Sequence, residues 1–168
     1  MVIRNTNYTK REIDKILSAA HTNTISKSQE KLIEISDKIY IFNGIDRESI
    51  IRMTKNVTFK QYKKGKVIMQ EGDRGDEIYF ILSGNALVVV AKNKVVATIP
   101  SGAMLGEMAF ITKQPRSATI LAGKDATTII TFEIDEEKCS EIFSYPFTIL
   151  YKNIALDLTK KLDASNKK

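Results

Sequence analysis

The spacing of apolar residues divides the chain into helical ends and a middle made of short strands. Near the start, apolar side chains recur every three or four positions over residues 9–20 and again over residues 28–40. This spacing is typical of amphipathic helices that bury one face. A third helix is predicted to begin after Asp46, whose carboxylate can accept backbone hydrogen bonds as an N-cap, and to end near Lys55.

Beyond residue 56, apolar and polar positions alternate, which is the period of a strand with one exposed face. The turns between these stretches carry glycine, at positions 65, 72, 75, 84 and 102. Many short strands joined by glycine turns favour a sandwich or barrel, and a jelly roll is the natural closed form. Long helices do not alternate with the strands, so a parallel α/β sheet is not expected. The predicted strands cover residues 57–62, 67–69, 78–82, 87–91, 95–99, 118–122 and 127–134.

Helical spacing returns after the last predicted strand. Asp135 can cap a short helix through Phe143, and Pro146 fits the first turn of a final helix. That helix carries an apolar stripe, which can pack on its own barrel, cover a ligand as a lid or pair with a second copy to form a homodimer. Residues 164–168 are expected to form a loose tail. The stripe consists of Phe147, Leu150, Ile154, Leu158 and Leu162.

Together these elements predict a mainly β protein with flanking helices (α+β). Its centre is a jelly-roll β-barrel, preceded by N-terminal helices and followed by a C-terminal lid helix. The predicted organisation is an N-terminal helical extension over residues 1–45, the jelly roll over residues 46–145 and the C-terminal helix and tail over residues 146–168. A chain of 168 residues, 43% of them hydrophobic, is long and apolar enough for one such domain.

Charge and cysteine content say more about the environment of the protein than about its function. The net charge of +6, from 26 basic and 20 acidic residues, is spread along the chain and predicts a solvated basic surface instead of a nucleic-acid footprint. Cys139 is the only cysteine, which excludes an intrachain disulfide and suits the core of a cytoplasmic protein. The longest apolar run, residues 86–91, is far shorter than the ~20 residues of a membrane helix, so no membrane span is expected.

The most specific chemistry follows the fifth predicted strand. Gly106 lets the backbone approach a ligand closely, and Glu107 can accept a hydrogen bond from a ribose hydroxyl. Residues 107–112 can form one helical turn whose first N–H groups face an anion. Arg116 offers a planar charged fork that matches phosphate oxygens, and Ser117 adds a hydroxyl donor. Because apolar residues follow Arg116, its guanidinium is expected to be buried and to need a partner, for which a bound phosphate is the simplest.

This order of residues resembles the phosphate-binding cassette of the cyclic-nucleotide-binding domain family. That family includes bacterial catabolite activator proteins, kinase regulatory subunits and the gating domains of cyclic-nucleotide-regulated channels. Two further stretches match the family pattern, KGKVI at residues 64–68 and EGDRGDEIYFILSG at residues 71–84. Residues that carry the pattern run from about Ile41 to Leu162.

The resemblance implies a pocket with polar anchors in the cassette and a mostly apolar wall from the neighbouring strands. It also implies that Asp76, the acidic residue of a Gly-Asp turn, braces the phosphate-binding arginine; an ordinary turn aspartate is the alternative. The implied cassette contacts are Gly106, Glu107, Met108, Ala109, Arg116, Ser117 and Ala118. The implied wall near the ribose and base consists of Val88, Val96, Ala97, Ile99, Met104 and Leu105.

Catalytic and metal chemistry find little support in the same sequence. His21 is the only histidine, so neither a cupin metal site nor a catalytic triad can be assembled. The acidic residues at positions 73, 76 and 77 lack the spacing of a calcium-binding loop. Rossmann and Walker glycine patterns are absent as well. The chain is therefore expected not to be an enzyme and to hold neither a metal nor a cofactor.

The sequence predicts a non-enzymatic sensor of a cyclic purine mononucleotide that relays occupancy through the terminal helices to an unidentified protein partner. Serine after the arginine resembles cAMP-binding activators and favours cAMP, although a hydroxyl there also resembles cGMP-selective members. Direct DNA binding is not expected, because no helix-turn-helix follows the last helix. Two alternatives stay open. One is a ligand-free interaction module, and the other is the regulatory part of a larger channel, kinase or transcription complex.

Overall fold

Eight short strands form the centre of the computed structural model, which describes residues 25–90, 94–138 and 144–166. All the strands predicted from the alternating pattern are present. One further strand, β6, was not predicted, because an element of two residues is too short to show a period. The strands are β1 (Thr54–Tyr62), β2 (Val67–Met69), β3 (Glu77–Ser83), β4 (Asn85–Val90), β5 (Lys94–Pro100), β6 (Met104–Leu105), β7 (Thr119–Ala122) and β8 (Thr127–Ile134).

The strands pair into two antiparallel sheets of four. One sheet has the order β1-β8-β3-β6 and the other the order β2-β7-β4-β5, so the chain crosses repeatedly between the sheets. In the first sheet, Ile130 of β8 lies opposite Phe59 on one side and Phe80 on the other. In the second sheet, Val88 lies opposite Ile120. Phe59, Phe80 and Ile130 belong to the core between the first sheet and the helices, whereas Val88 and Ile120 belong to the cluster between the sheets. The predicted jelly roll with flanking helices is confirmed.

Two helices precede the strands, one lies between β6 and β7, and one follows β8. They are α1 (Lys27–Glu34), α2 (Arg47–Met53), α3 (Glu107–Thr112) and α4 (Ser144–Asn166). The helix predicted over residues 9–20 lies outside the described residues. Within the described ranges, no helix has both the length and the apolar composition needed to cross a membrane.

The helix predicted over residues 28–40 is shorter in the structure. α1 ends at Glu34, and two 3-10 turns follow within residues 36–42. Ile39 and Ile41 are both fully buried. In a continuous helix, side chains two positions apart point about 200° away from each other. A longer α1 would therefore expose one of these isoleucines, and the tighter turns bury both.

The region after β8 also departs from the sequence expectation. Where a short helix was predicted over residues 135–143, the described part is a 3-10 turn, Glu136–Lys138, while residues 139–143, with Cys139, lie outside the described residues. The tail predicted from residue 164 is instead helical, since α4 continues to Asn166. The last turns of α4 contact the cassette, and this tertiary contact extends the helix beyond its sequence signal.

The hydrophobic core joins the helices to the first sheet. Leu32 and Ile39 pack in one buried cluster with Phe132 of β8 and with Leu150 and Ile154 of α4. A smaller cluster lies between the sheets next to the cassette and contains residues of β2, β3, β4, β6, β7 and β8. Residues of the N-terminal segment thus share a core with the jelly roll, while the predicted division into three parts at residues 45 and 145 stays a prediction.

Asp46 caps α2 as the sequence indicates. Its Oδ1 accepts a hydrogen bond from the backbone N–H of Ser49 at 2.9 Å, and its Oδ2 accepts one from the Ser49 hydroxyl at 2.6 Å. The Ser49 hydroxyl, followed by the Ser49 backbone, holds the pKa of Asp46 below its ordinary value. The charged form of this aspartate is therefore favoured by folding.

We expect Asp46→Ala to lower the free energy of unfolding by about 1 kcal/mol at neutral pH. Because the folded-state pKa is depressed, this stabilisation is present above the ordinary aspartate pKa and is lost as the pH falls through the folded value. Urea denaturation should therefore show that the difference in the free energy of unfolding between the wild type and Asp46→Ala becomes smaller below about pH 4. The exposed Asp37 offers a control, since Asp37→Ala should change stability by less than about 0.5 kcal/mol. A difference that persists undiminished in acid would contradict this role.

Candidate ligand-binding site

Gly106 turns the chain from β6 into α3, the helical turn predicted over residues 107–112. Its φ is 85°, a left-handed conformation that side-chain-bearing residues rarely adopt. A Cβ at this position would lie 2.7 Å from Nη1 of Arg116 and 2.8 Å from the carbonyl oxygen of Glu77. Glycine therefore allows β3, β6 and the loop after α3 to approach one another at this point.

Arg116 is buried, with only 4% of its surface exposed, and is held from several directions. Its Nη1 donates to the carbonyl oxygen of Gly106 at 3.0 Å. Its Nη2 donates to the carbonyl oxygen and to Oε2 of Glu77, both at 2.9 Å. These contacts use three of the five N–H groups of the guanidinium, so two N–H groups remain for another acceptor.

Tyr79 places an aromatic ring against the same guanidinium, whose carbon lies 5.4 Å from the ring centroid. Burial raises the pKa of the Tyr79 hydroxyl, and the negative charge of Glu77 raises it further, while Arg116 acts in the opposite direction. The phenol therefore stays protonated at neutral pH. The attraction between the ring and the guanidinium is independent of pH in that range.

Two expectations about the partners of Arg116 need correction. The carboxylate that braces it belongs to Glu77, whereas Oδ1 of Asp76 lies 3.5 Å from Nζ of Lys113. Successive side chains of an extended chain point to opposite sides, so only one of these two neighbours can face the arginine. A bound phosphate is also not required to pair the guanidinium, because Glu77 already does so. Water screens this pair, since 39% of the Glu77 side chain is exposed.

Glu107 is the first residue of α3 and is as buried as the arginine, with 4% of its surface exposed. Its Oε1 accepts a hydrogen bond from Nζ of Lys161 in α4. Its Oε2 is buried and has no hydrogen-bond partner among the described residues. Leaving a buried acceptor without a donor costs about 1–3 kcal/mol. A hydroxyl of a bound molecule can remove that cost.

A cavity of about 520 Å³ lies between the cassette and the second sheet, bordered by the end of α4. Its volume is within the usual range for sites that bind small molecules. All the ligand contacts expected from the sequence line it except Met104: Val88, Val96, Ala97, Ile99, Leu105, Gly106, Glu107, Met108, Ala109, Arg116, Ser117 and Ala118. Met104 is buried in the main core, because it and Leu105 point to opposite sides of β6.

Several residues of the cavity lining were not predicted from the sequence. Met69 and Ile120 pair across β2 and β7, so the strand register would have been needed to find them. Lys161 and Ala164 are three positions apart and share one face of α4, but nothing in the sequence assigns that face to the cavity. The residues missed are Met69, Thr98, Ile120, Lys161 and Ala164.

The site is suited to binding an anion that also carries a hydroxyl. The guanidinium has two remaining N–H groups, and the Glu107 carboxylate has an oxygen that lacks a donor. Among residues 25–90, 94–138 and 144–166, there is no group of three or more histidine, cysteine, aspartate or glutamate side chains that could hold a metal ion.

Residues 59–143, about half of the chain, match the family model for the cyclic nucleotide-binding domain. The chain belongs to the cyclic nucleotide-binding domain family. The resemblance read from the cassette is thereby confirmed, and the cassette residues lie inside the matched range. Members of the family carry a regulatory ligand-binding domain, and the cavity lies where the cassette meets the second sheet of that domain.

Known proteins resemble this cyclic nucleotide-binding domain over part of their length. A cGMP-dependent protein kinase of Eimeria tenella is 31% identical over 105 residues, which are 62% of this chain and 10% of the kinase. A cAMP-dependent protein kinase regulatory subunit of Mucor circinelloides f. lusitanicus is 29% identical over 111 residues, which are 66% of this chain and 26% of that subunit. The regulatory domain of Toxoplasma gondii PKA, solved with cAMP, has the same fold, with a TM-score of 0.58, 20% identity and coverage of 82% of this chain and 51% of that chain.

Proposed function

We propose that this chain binds a cyclic purine mononucleotide in the cavity beside the cassette. The observation that carries the proposal is the presence of two complementary buried groups at one cavity. Arg116 retains two N–H groups for the anionic cyclic phosphate, and Glu107 retains one carboxylate oxygen for the ribose hydroxyl. Each ligand group thus meets a protein group of the opposite hydrogen-bonding character.

The rest of the cavity fits the base and the remaining phosphate oxygens. The apolar side chains of Val88, Ala97 and Ile99 offer a wall for a purine ring, and Ser117 offers a hydroxyl beside the arginine. We favour cAMP over cGMP because serine after the arginine resembles cAMP-binding activators. Relatives named for each nucleotide match this chain at similar identity, 31% and 29%, so both nucleotides belong in the test.

The position of α4 supports a relay of ligand occupancy to the ends of the domain. Near its C-terminus, Lys161 and Ala164 line the cavity. Near its middle, Nδ2 of Asn153 donates to the carbonyl oxygens of Ile41 at 3.0 Å and Asn43 at 2.8 Å. One helix therefore contacts both the ligand cavity and the N-terminal segment, and a ligand that favours one position of α4 shifts the whole unit. We infer a non-enzymatic regulatory role, exerted on a protein partner or on other parts of a longer protein.

A thermal-unfolding assay tests this function directly. Either nucleotide at about 100 times its Kd should stabilise the folded state by about 2.7 kcal/mol and raise the Tm by about 5–10 °C. The 5′-monophosphate AMP serves as the matched control, because it has the same base but lacks the cyclic phosphate, and it should raise the Tm much less. An unchanged Tm with cAMP, with cGMP and with AMP would contradict the proposal and favour an interaction module that binds no nucleotide.

A further inference from the structure

Lys161 connects α4 to the cassette through a contact that the cassette sequence does not suggest. Its Nζ donates to Oε1 of Glu107, which lies 54 positions earlier in the sequence. The same nitrogen donates to the carbonyl oxygen of Met104 at 2.8 Å and lies 2.7 Å from Oδ2 of Asp157. Two of the three N–H donors of the ammonium group form hydrogen bonds, to Glu107 and to Met104, and the Asp157 carboxylate adds an ion pair. Lys161 therefore joins α4, β6 and α3 at one point.

The contact determines which oxygen of Glu107 is available to a ligand. Lys161 takes Oε1, while Oε2 has no hydrogen-bond partner among the described residues. The carboxylate is nearly fully buried, so its orientation depends on the few donors that reach it. Without the ammonium, the carboxylate would be a buried charge with no partner and would turn towards water or another donor.

The cavity exists with this contact in place. Lys161 and Ala164 form part of its wall, and about 520 Å³ remains between that wall and the second sheet. A ligand can therefore occupy the cavity while Lys161 stays on Glu107. The charge of Lys161 also favours that arrangement, because a cyclic phosphate brings a negative charge to a cavity that Glu107 borders and whose cations Arg116 and Lys161 already pair with carboxylates.

We propose that Lys161 is a positioning residue that holds Glu107 in the orientation that receives the ribose hydroxyl, and that this shared carboxylate couples ligand binding to the closed position of α4. The inference rests on the proposed function of the cavity. Ligand binding to Glu107 stabilises its ion pair with Lys161 and thereby the closed position of α4. The closed position of α4 increases the affinity for the ligand in return, because coupling between two sites is reciprocal. Lys161 thus couples the position of α4 to binding of the ribose.

Paired titrations with cAMP and 2′-deoxy-cAMP test the role in ligand recognition. In the wild-type protein, loss of the ribose hydroxyl should weaken binding by about tenfold to a hundredfold. In Lys161→Met, that penalty should fall to about threefold or less, because Glu107 is no longer held in place. Lys152→Met is the matched control: Lys152 is exposed on the same helix, and its removal should leave the penalty at the wild-type value.

The loss of affinity caused by removing the ribose hydroxyl distinguishes the possible outcomes. A purely structural role of Lys161 would weaken binding of both nucleotides by the same factor, and an unchanged penalty in Lys161→Met would overturn the inference while leaving the proposed function intact. Tighter binding of cAMP by Lys161→Met would also overturn it, because Lys161 would then compete with the ligand. Failure of the wild-type protein to bind cAMP, cGMP or the deoxy nucleotide would overturn the proposed function and the ribose contact with it.

Hydrogen exchange without added nucleotide tests the link to α4 independently of ligand binding. Backbone amides of residues 157–166 should exchange several times faster in Lys161→Met than in the wild type, because the contact with Glu107 and Met104 holds the last turns of the helix. Lys152→Met should exchange like the wild type in this segment. Equal rates in all three proteins would overturn the proposed coupling of the helix to the cassette.

Discussion

Arg116→Ala is expected to weaken binding of cAMP and cGMP by about two to three orders of magnitude. Truncation of a buried, hydrogen-bonded charge typically costs about 2–5 kcal/mol, and about 1.4 kcal/mol corresponds to a tenfold change in Kd. The guanidinium is 4% exposed and borders the cavity, so water cannot easily replace it as the partner of a phosphate. Isothermal titration calorimetry with both nucleotides measures the change.

Two further variants show whether the loss comes from the guanidinium at this position. Arg116→Lys keeps the charge but lacks the planar fork, so its affinity should lie between those of the wild type and Arg116→Ala. Arg74 is an exposed arginine that does not line this cavity, and Arg74→Ala should bind nucleotide with wild-type affinity. Circular dichroism confirms folding of each variant, because Arg116 also pairs with Glu77. Wild-type affinity in Arg116→Ala would refute the assigned phosphate contact.

Gly106→Ala is the second variant for which we expect a large effect. The left-handed backbone at this position costs an alanine about 1–2 kcal/mol. The new Cβ would in addition meet Nη1 of Arg116 at 2.7 Å and the carbonyl oxygen of Glu77 at 2.8 Å, which adds about 1–3 kcal/mol of overpacking. Chemical denaturation should therefore show a loss of about 2–5 kcal/mol, and calorimetry should show weaker nucleotide binding because the arginine is displaced.

Gly102 provides a control with the same backbone conformation and no collision. Its φ is 86°, and a Cβ there would have nothing within 4 Å. Gly102→Ala should therefore show only the backbone cost of about 1–2 kcal/mol and should bind nucleotide like the wild type. If both alanine variants lost the same stability and kept the same affinity, close packing around Gly106 would not matter for the site.

The central sheets were predictable because a strand that packs on a core shows its period in the sequence. β8 shows this period over residues 130–134, where Ile130, Phe132 and Ile134 face the main core, while the neighbouring Ile129 is buried on the other side of the sheet. The 3-10 turns after α1 and the two-residue β6 were not predictable, since elements of two or three residues are too short to carry a period. The end of α4 was missed for another reason, because its last turns depend on a contact with the cassette.

Within the site, local sequence was enough for groups that are neighbours along the chain. Gly106, Glu107 and Arg116 belong to one short segment, and the chemistry of phosphate and ribose binding can be read from their types and order. Their partners could not be read in the same way. Glu77 lies 39 positions before Arg116, and Lys161 lies 54 positions after Glu107.

The amino-acid pattern predicted a jelly roll with flanking helices, and the resemblance of the cassette to a known family predicted a site for a cyclic nucleotide. Folding was needed to select Glu77 over Asp76 as the brace of Arg116, to turn Met104 into the core and to bring Lys161 onto Glu107. The physical reason is the separation along the chain over which each kind of interaction acts. Periodicity and turn preferences act between residues that are close along the chain, whereas hydrogen bonds and ion pairs form between any groups that come within about 3 Å.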